Sequence, residues 1–168
     1  MADEIINRVA NSKLVTIDLE DYYPSGKRLL FDIKDWLYKG LILREKDFRA
    51  HALAFNWSQY QNCYVALTCS TDAILPGWAF MLLTVYLQPY AKKIVTGNLS
   101  DLETSIFQDI ISNLDVGPFK DKPVIIKGCS KKPVPESAYI MLTGKLIPHV
   151  KSIMYGEACS SVPLHKKK

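Results

Sequence analysis

Three Cys-Ser dipeptides, Cys69-Ser70, Cys129-Ser130 and Cys159-Ser160, hold the side chains of this sequence best suited to chemistry. Thiolates are soft ligands that select Zn²⁺ or an iron–sulfur cluster. Cys69, Cys129 and Cys159 together would leave one coordination position for another residue, water or a substrate. His51, Asp72, Glu157 and His165 are candidates for it by residue type, and nothing in the sequence brings any of them into contact. A second chemistry is nucleophilic: Cys69 or Cys129, activated at a helix N-terminus, would attack in sulfur or acyl transfer, with His51 as a candidate base. The plain alternative is packing, because free cysteine often behaves as a small buried hydrophobe. Cys63, which opens a strand and is not followed by serine, is read that way.

The elements that must position these thiols come from a repeat. Trp78 to Gly97 aligns without a gap on Ser137 to Gly156, at an offset of 59 residues. Ala79, Leu83, Thr84, Leu87, Pro89, Lys92, Ile94 and Gly97 are identical to Ala138, Leu142, Thr143, Leu146, Pro148, Lys151, Ile153 and Gly156. One residue of slippage upstream sets Cys69-Ser70 over Cys129-Ser130. Two copies are too few for a solenoid, so a duplicated supersecondary unit is expected. Each copy reads as strand, loop, helix, strand. Tyr64 to Thr68 and Val124 to Lys127 are rich in β-branched residues, and the next segments carry apolar residues at helical spacing up to Pro89 and Pro148. Lys92 to Thr96 and Lys151 to Tyr155 then return as strands. Ser100 to Leu114 links the copies as an amphipathic helix, with Ser100 and Glu103 as the expected capping box.

Residues 1–60 are less regular, with strands at Leu14 to Leu19 and Arg28 to Phe31 and helical segments at Ile33 to Tyr38 and Arg44 to Phe55. The expectation is an α/β fold: one domain over 1–168, a mainly parallel sheet, duplicated βαβ units at 63–98 and 123–160, and residues 1–60 packed on that sheet. All three Cys-Ser dipeptides then fall at the carboxyl edge of their strands, where open α/β sheets bind ligands.

Composition narrows the function classes. The chain has 168 residues, 48% of them hydrophobic and 23% charged, which is a globular balance with enough apolar material for a core. Net charge is +4, and Lys166, Lys167 and Lys168 account for most of it, so neither a nucleic-acid partner nor a membrane surface has electrostatic support. No apolar run approaches the roughly 18 residues a bilayer span needs. Met1 to Arg8 contains Asp3 and Glu4 and lacks the pattern of a signal peptide, so a cytoplasmic protein is expected. Lys131 and Lys132 could draw an anion to the start of the following helix. The rings Trp36, Phe48, Phe55, Trp57 and Tyr60 read as core rather than as a stacking platform. No Gly-rich phosphate loop, nucleophile elbow or H-E-x-x-H is present.

Several segments carry a family likeness: Ile33-Lys34-Asp35-Trp36, Leu43-Arg44-Glu45-Lys46-Asp47-Phe48-Arg49, Tyr64-Val65-Ala66-Leu67-Thr68-Cys69-Ser70 and Lys127-Gly128-Cys129-Ser130. Pro133-Val134-Pro135-Glu136-Ser137-Ala138-Tyr139 and Gly156-Glu157-Ala158-Cys159-Ser160-Ser161-Val162-Pro163 complete it. Along its whole length the chain resembles an uncharacterised bacterial family defined by a domain of unknown function. Ala158 stands where that pattern has Pro. The resemblance implies an association with SUF-type iron–sulfur assembly gene neighbourhoods, and with assembly proteins as partners. The leading expectation is therefore a cytoplasmic accessory protein of iron–sulfur or thiol metabolism, with zinc or a cluster on Cys69, Cys129 and Cys159. A Cys-dependent transferase and an interaction module without chemistry are the alternatives.

Overall fold

A computed structural model describes residues 13–128 and 131–168. The strands are β1 (Val15–Ile17), β2 (Arg28–Asp32), β3 (Tyr64–Thr68), β4 (Lys93–Thr96), β5 (Pro123–Ile126), β6 (Ser152–Glu157) and β7 (Ser160–Lys166), with β-branched residues densest in β1, β4 and β5. The helices are α1 (Glu45–Ala54), α2 (Trp78–Leu87), α3 (Leu99–Ser112) and α4 (Glu136–Leu146). Strands and helices alternate, and the fold is α/β with mainly parallel pairing.

The strands fall into two sheets, of order β2-β3-β4 and β1-β5-β6-β7. Among the described residues the named strands pair in parallel, except β6 with β7, which is antiparallel. The chain likewise divides into two compact units: an inserted unit, Pro24–Ile106, and a split unit, Met1–Tyr23 with Phe107–Lys168. Each copy of the repeat builds one sheet because each finds its own extra strand upstream, β2 for the first copy and β1 for the second.

The duplication is deeper than the aligned sequence. In the inserted unit Leu29 pairs with Val65 and Val65 with Ile94; in the split unit Val15 pairs with Val124 and Val124 with Ile153. The 59-residue offset thus holds across the ladder, and the first strands correspond at 14 residues. It holds for irregular backbone too. Asn62 and Asp121 have φ of 60° and 56°, and their N–H groups donate to the Tyr90 and His149 carbonyls at 2.9 and 2.8 Å. Phe48 on α1 and Phe107 on α3 correspond, and both are fully buried.

Each unit has its own apolar core, since a sheet face must be covered by apolar helix stripes. In the inserted unit it gathers Phe31, Phe48, Ala52, Val65, Leu67, Ala79, Leu83 and Leu87. In the split unit it gathers Ile17, Phe107, Ile111, Val124, Ile126, Ala138, Leu142 and Leu146. Trp57 and Tyr60 are also buried, and Phe31 meets Trp36 and Phe55 edge to face at 5.1 and 5.4 Å, so the aromatic set is core.

Some local expectations shift. The cap of α3 is Asn98, whose side chain accepts from the Ser100 and Asp101 N–H groups at 2.7 and 3.0 Å. Asp101 returns the bond to Asn98 N–H at 2.8 Å, so the box lies two residues earlier than expected. Glu103 instead pairs with Arg28 at 2.6 Å. Ile33 to Tyr38 forms only a single 3-10 turn, Ile33–Trp36. β7 had no expected strand; it pairs with β6 through a hairpin whose turn is Ala158-Cys159.

Candidate functional site

In each unit candidate residues lie at the carboxyl ends of parallel strands. In the inserted unit Cys69 directly follows β3 and is half-buried. Its Sγ lies 3.6 Å from the Thr71 carbonyl and 3.3 Å from Thr71 Oγ1, so the thiol is held by its own loop. That loop runs on to Gly77 before α2 begins at Trp78, and Thr71, not the first turn of the helix, engages the sulfur. His51 is exposed on α1 and stacks on Trp36 at 5.5 Å with an interplanar angle of 19°. Asp72 is exposed in the same loop.

A carboxylate fixes the start of this loop. Asp32 ends β2 and caps the following 3-10 turn, accepting from Lys34 N–H at 3.1 Å. The same oxygen accepts from Ser70 N–H at 3.1 Å, which ties the residue after Cys69 to the neighbouring strand. Partial burial pushes the Asp32 carboxyl up, but its hydrogen bonds from Ser70 and Lys34 and the Lys34 charge outweigh this and hold it below its ordinary value.

The split unit repeats the device with different residues. Asp18 directly follows β1 and caps a 3-10 turn through Glu20 N–H at 2.9 Å. Its carboxylate meets Lys127 Nζ at 3.0 Å. Burial raises the Asp18 pKa, yet bonding to Lys127 and Glu20 N–H, with the charges of Lys127 and Lys132, brings it below the usual range. The same contact raises Lys127. Glu20 then accepts from the backbone N–H groups of Lys131 and Lys132, while Lys132 Nζ donates to the Glu20 carbonyl at 3.0 Å. The anion that meets the Lys131-Lys132 segment is thus the chain's own Glu20. By sequence Asp18, Glu20 and Asp21 read as a solvated strand end, with a carboxylate site as the alternative; in the structure Asp18 and Glu20, like Asp32 in its own unit, hold loops instead. The pattern Asp18-x-x-Asp21 against Asp32-x-x-Asp35, 14 residues apart, was the available signal.

Cys159 is exposed at the tip of the β6–β7 hairpin, with Glu157 beside it at the end of β6. Tyr155, opposite Ile126 in the ladder, donates its hydroxyl to the Gly128 carbonyl at 3.3 Å. The chain entering Cys129 therefore leaves β5 at the edge from which the Cys159 hairpin projects; Cys129 and Ser130 themselves lie outside the described residues. His165 sits on β7 opposite Ile153, towards the other end of β6. Cys63 is buried in the inserted core. Among the described residues no three His, Cys, Asp or Glu side chains gather as a metal-holding group.

The split unit also carries an apolar groove of about 410 Å³. Ile140 and Gly144 of α4, with Ile147 just after it, line one wall, and Tyr155 and Leu164 of β6 and β7 the other. Its volume is in the range of small-molecule or side-chain pockets. The polar groups at its wall are already used, Thr143 Oγ1 on the Tyr139 carbonyl at 2.7 Å and Tyr155 on Gly128.

Among the described residues no helix is long and apolar enough to cross a membrane. Searches of curated proteins and of solved structures returned no match. The expected family likeness is borne out over nearly the whole chain: residues 3–167 match the model described as protein of unknown function (DUF2480), and the chain belongs to that family.

Proposed function

We propose that this chain is a cytoplasmic thiol-bearing accessory protein of iron–sulfur or thiol metabolism, with Cys69, Cys129 and Cys159 as soft ligands for zinc or a cluster. The observation that carries this reading is the delivery of thiols to the carboxyl edges of parallel sheets. Cys69 follows β3, and Cys159 stands in the open on the hairpin that prolongs β6. Support also comes from the clamps: Asp32 and Glu20 fix the loops after β3 and β5 by their backbone N–H groups. Within the inserted unit Cys69 is the single edge thiol, and Asp32 Oδ1 is spent on two N–H donors.

The test is metal and sulfide analysis of anaerobically purified parent and four Cys→Ser variants. The parent is expected to carry zinc or iron; Cys69→Ser, Cys129→Ser and Cys159→Ser each lower its content, and Cys63→Ser retains it. A metal-free parent overturns the metal reading. Alkylation kinetics then divide the rest. One fast thiol at Cys69 or Cys129 points to sulfur or acyl transfer, and uniformly slow thiols point to an interaction module. The groove under α4 favours that last reading, since a largely apolar cavity with its polar groups already satisfied suits an apolar side chain of a partner such as an assembly protein.

A further inference from the structure

Gly144 stands in α4 with no local reason to be glycine. Its backbone is helical rather than left-handed, unlike that of Gly97 and Gly156. A Cβ built there would find no described atom within 4 Å apart from its own stretch of helix. Helices disfavour glycine relative to alanine, so α4 is weakened at a position where a methyl group fits freely. At the 59-residue offset the other copy carries Val85. The missing side chain deepens the groove between α4 and the β6–β7 hairpin and leaves helix backbone open at its wall.

The groove has a defined chemistry. Tyr139 and Tyr155 meet edge to face at 6.1 Å and form an aromatic corner in its wall. Thr96 stands at the place of Tyr155 in the inserted unit, so the corner belongs to one copy alone. Among the described residues that line the groove none is charged. The hydroxyls of Thr143 and Tyr155 already have their protons engaged. Thr143 donates to the Tyr139 carbonyl, as Thr84 does to Phe80 in the other copy, and Tyr155 donates to the Gly128 carbonyl. Both oxygens keep lone pairs and are left as acceptors. With no cation in the wall and these two protons engaged, a carboxylate or phosphate finds little to offset its desolvation. A neutral molecule that brings its own donor is favoured instead.

We propose that this groove binds a small neutral aromatic molecule of one or two rings that carries an N–H or O–H donor. The ring lies against α4 where Gly144 opens the backbone and meets the Tyr139–Tyr155 corner, and its donor reaches the oxygen of Thr143 or Tyr155. A volume of about 410 Å³ admits such a molecule with room for a substituent. A linear aliphatic chain would use the apolar walls but leave both acceptors unmet and gain nothing from the aromatic corner. None of the described residues lining the groove is a cysteine, so the site goes beyond the thiol reading and stands independently of it. It differs too from a seat for a partner's side chain, because its ligand is free in solution.

NMR titration of the full chain with indole, indene and indole carboxylate tests this. Indene has the shape of indole without its N–H, and the carboxylate adds a negative charge to the same rings. Indole is expected to bind saturably and to shift the amides of residues 139–147 and of Tyr155. Indene should bind about fivefold more weakly, the loss of one hydrogen bond, and the carboxylate more weakly still. Gly144→Val installs the side chain of the other copy. It should weaken indole binding by about tenfold or more without lowering the melting temperature, because the added atoms fill the groove and not the core. Absence of saturable indole binding overturns the proposal. So does equal affinity for indole and indene, tighter binding of the carboxylate, or a Gly144→Val protein that binds indole as the parent does. Metal content is measured separately, so failure here and failure of the thiol reading are distinguishable.

Discussion

At the residue scale the aspartates at the ends of the first strands carry more of the local architecture than the cysteines they stand near. Asp32 joins three pieces of chain: the end of β2, the 3-10 turn through Lys34 N–H and the Cys69 loop through Ser70 N–H. Asp32→Ala removes the acceptor from both donors and should cost about 1–2 kcal/mol. Asp32→Asn keeps an amide oxygen at the cap and should cost less. Thermal melts of the two variants check the order. The charge also sets a pH dependence. Because the folded carboxyl titrates below its ordinary 3.8, protonation favours the unfolded chain. The stabilisation is complete above that value and is lost as pH falls through the lower, folded one; Asp18 behaves likewise. Acid unfolding should thus be shallower in Asp32→Asn than in the parent over that window, and identical acid limbs would refute this account.

At the element scale each returning strand meets a glycine that its geometry demands. Gly97 after β4 and Gly156 within β6 have φ of +125° and +118°, where side chains are strained. A methyl at Gly97 would meet the Asp101 carboxylate, which caps α3 and can swing away only by giving up Asn98 N–H. A methyl at Gly156 would lie 2.7 Å from the Ser160 carbonyl, part of the hairpin backbone. Gly97→Ala should therefore cost about 1–3 kcal/mol, and Gly156→Ala more, because a side chain yields where a ladder does not. Denaturant midpoints of the two variants measure the difference. An equal cost at both sites would show that the hairpin gives as readily as a side chain.

At the scale of the whole molecule two equivalent phenylalanines anchor two separate apolar clusters. Phe48 belongs to the inserted core and Phe107 to the split core, and each is fully buried. Replacing either with alanine should cost about 3–5 kcal/mol through lost burial and the cavity left behind. Hydrogen exchange separates the two effects. Phe48→Ala should open β2, β3 and β4 first, and Phe107→Ala should open β1, β5 and β6. Uniform acceleration of both sheets by either variant would show that the clusters open as one.

The α/β class, the mainly parallel pairing and the duplicated strand-helix-strand unit were legible in the sequence, because each rests on local regularity. Eight identities at a constant offset, β-branched runs and prolines after helices act through neighbours in the chain. The place of Cys69 just after β3 was legible for the same reason. Sequence also placed Ser100 at the cap of α3, where Asn98 took the role; both are good caps, and only the helix start at Leu99 decided between them. What tertiary structure alone decided is long-range pairing. β1 lies beside β5 and β2 beside β3, which distributes the copies over two sheets. Glu20 rather than a foreign anion meets Lys131 and Lys132, more than a hundred residues away in the chain. β7 closes one sheet and nothing among the described residues closes the other. Such choices follow from which apolar faces and backbone edges find cover, a competition among distant segments that no window of sequence records.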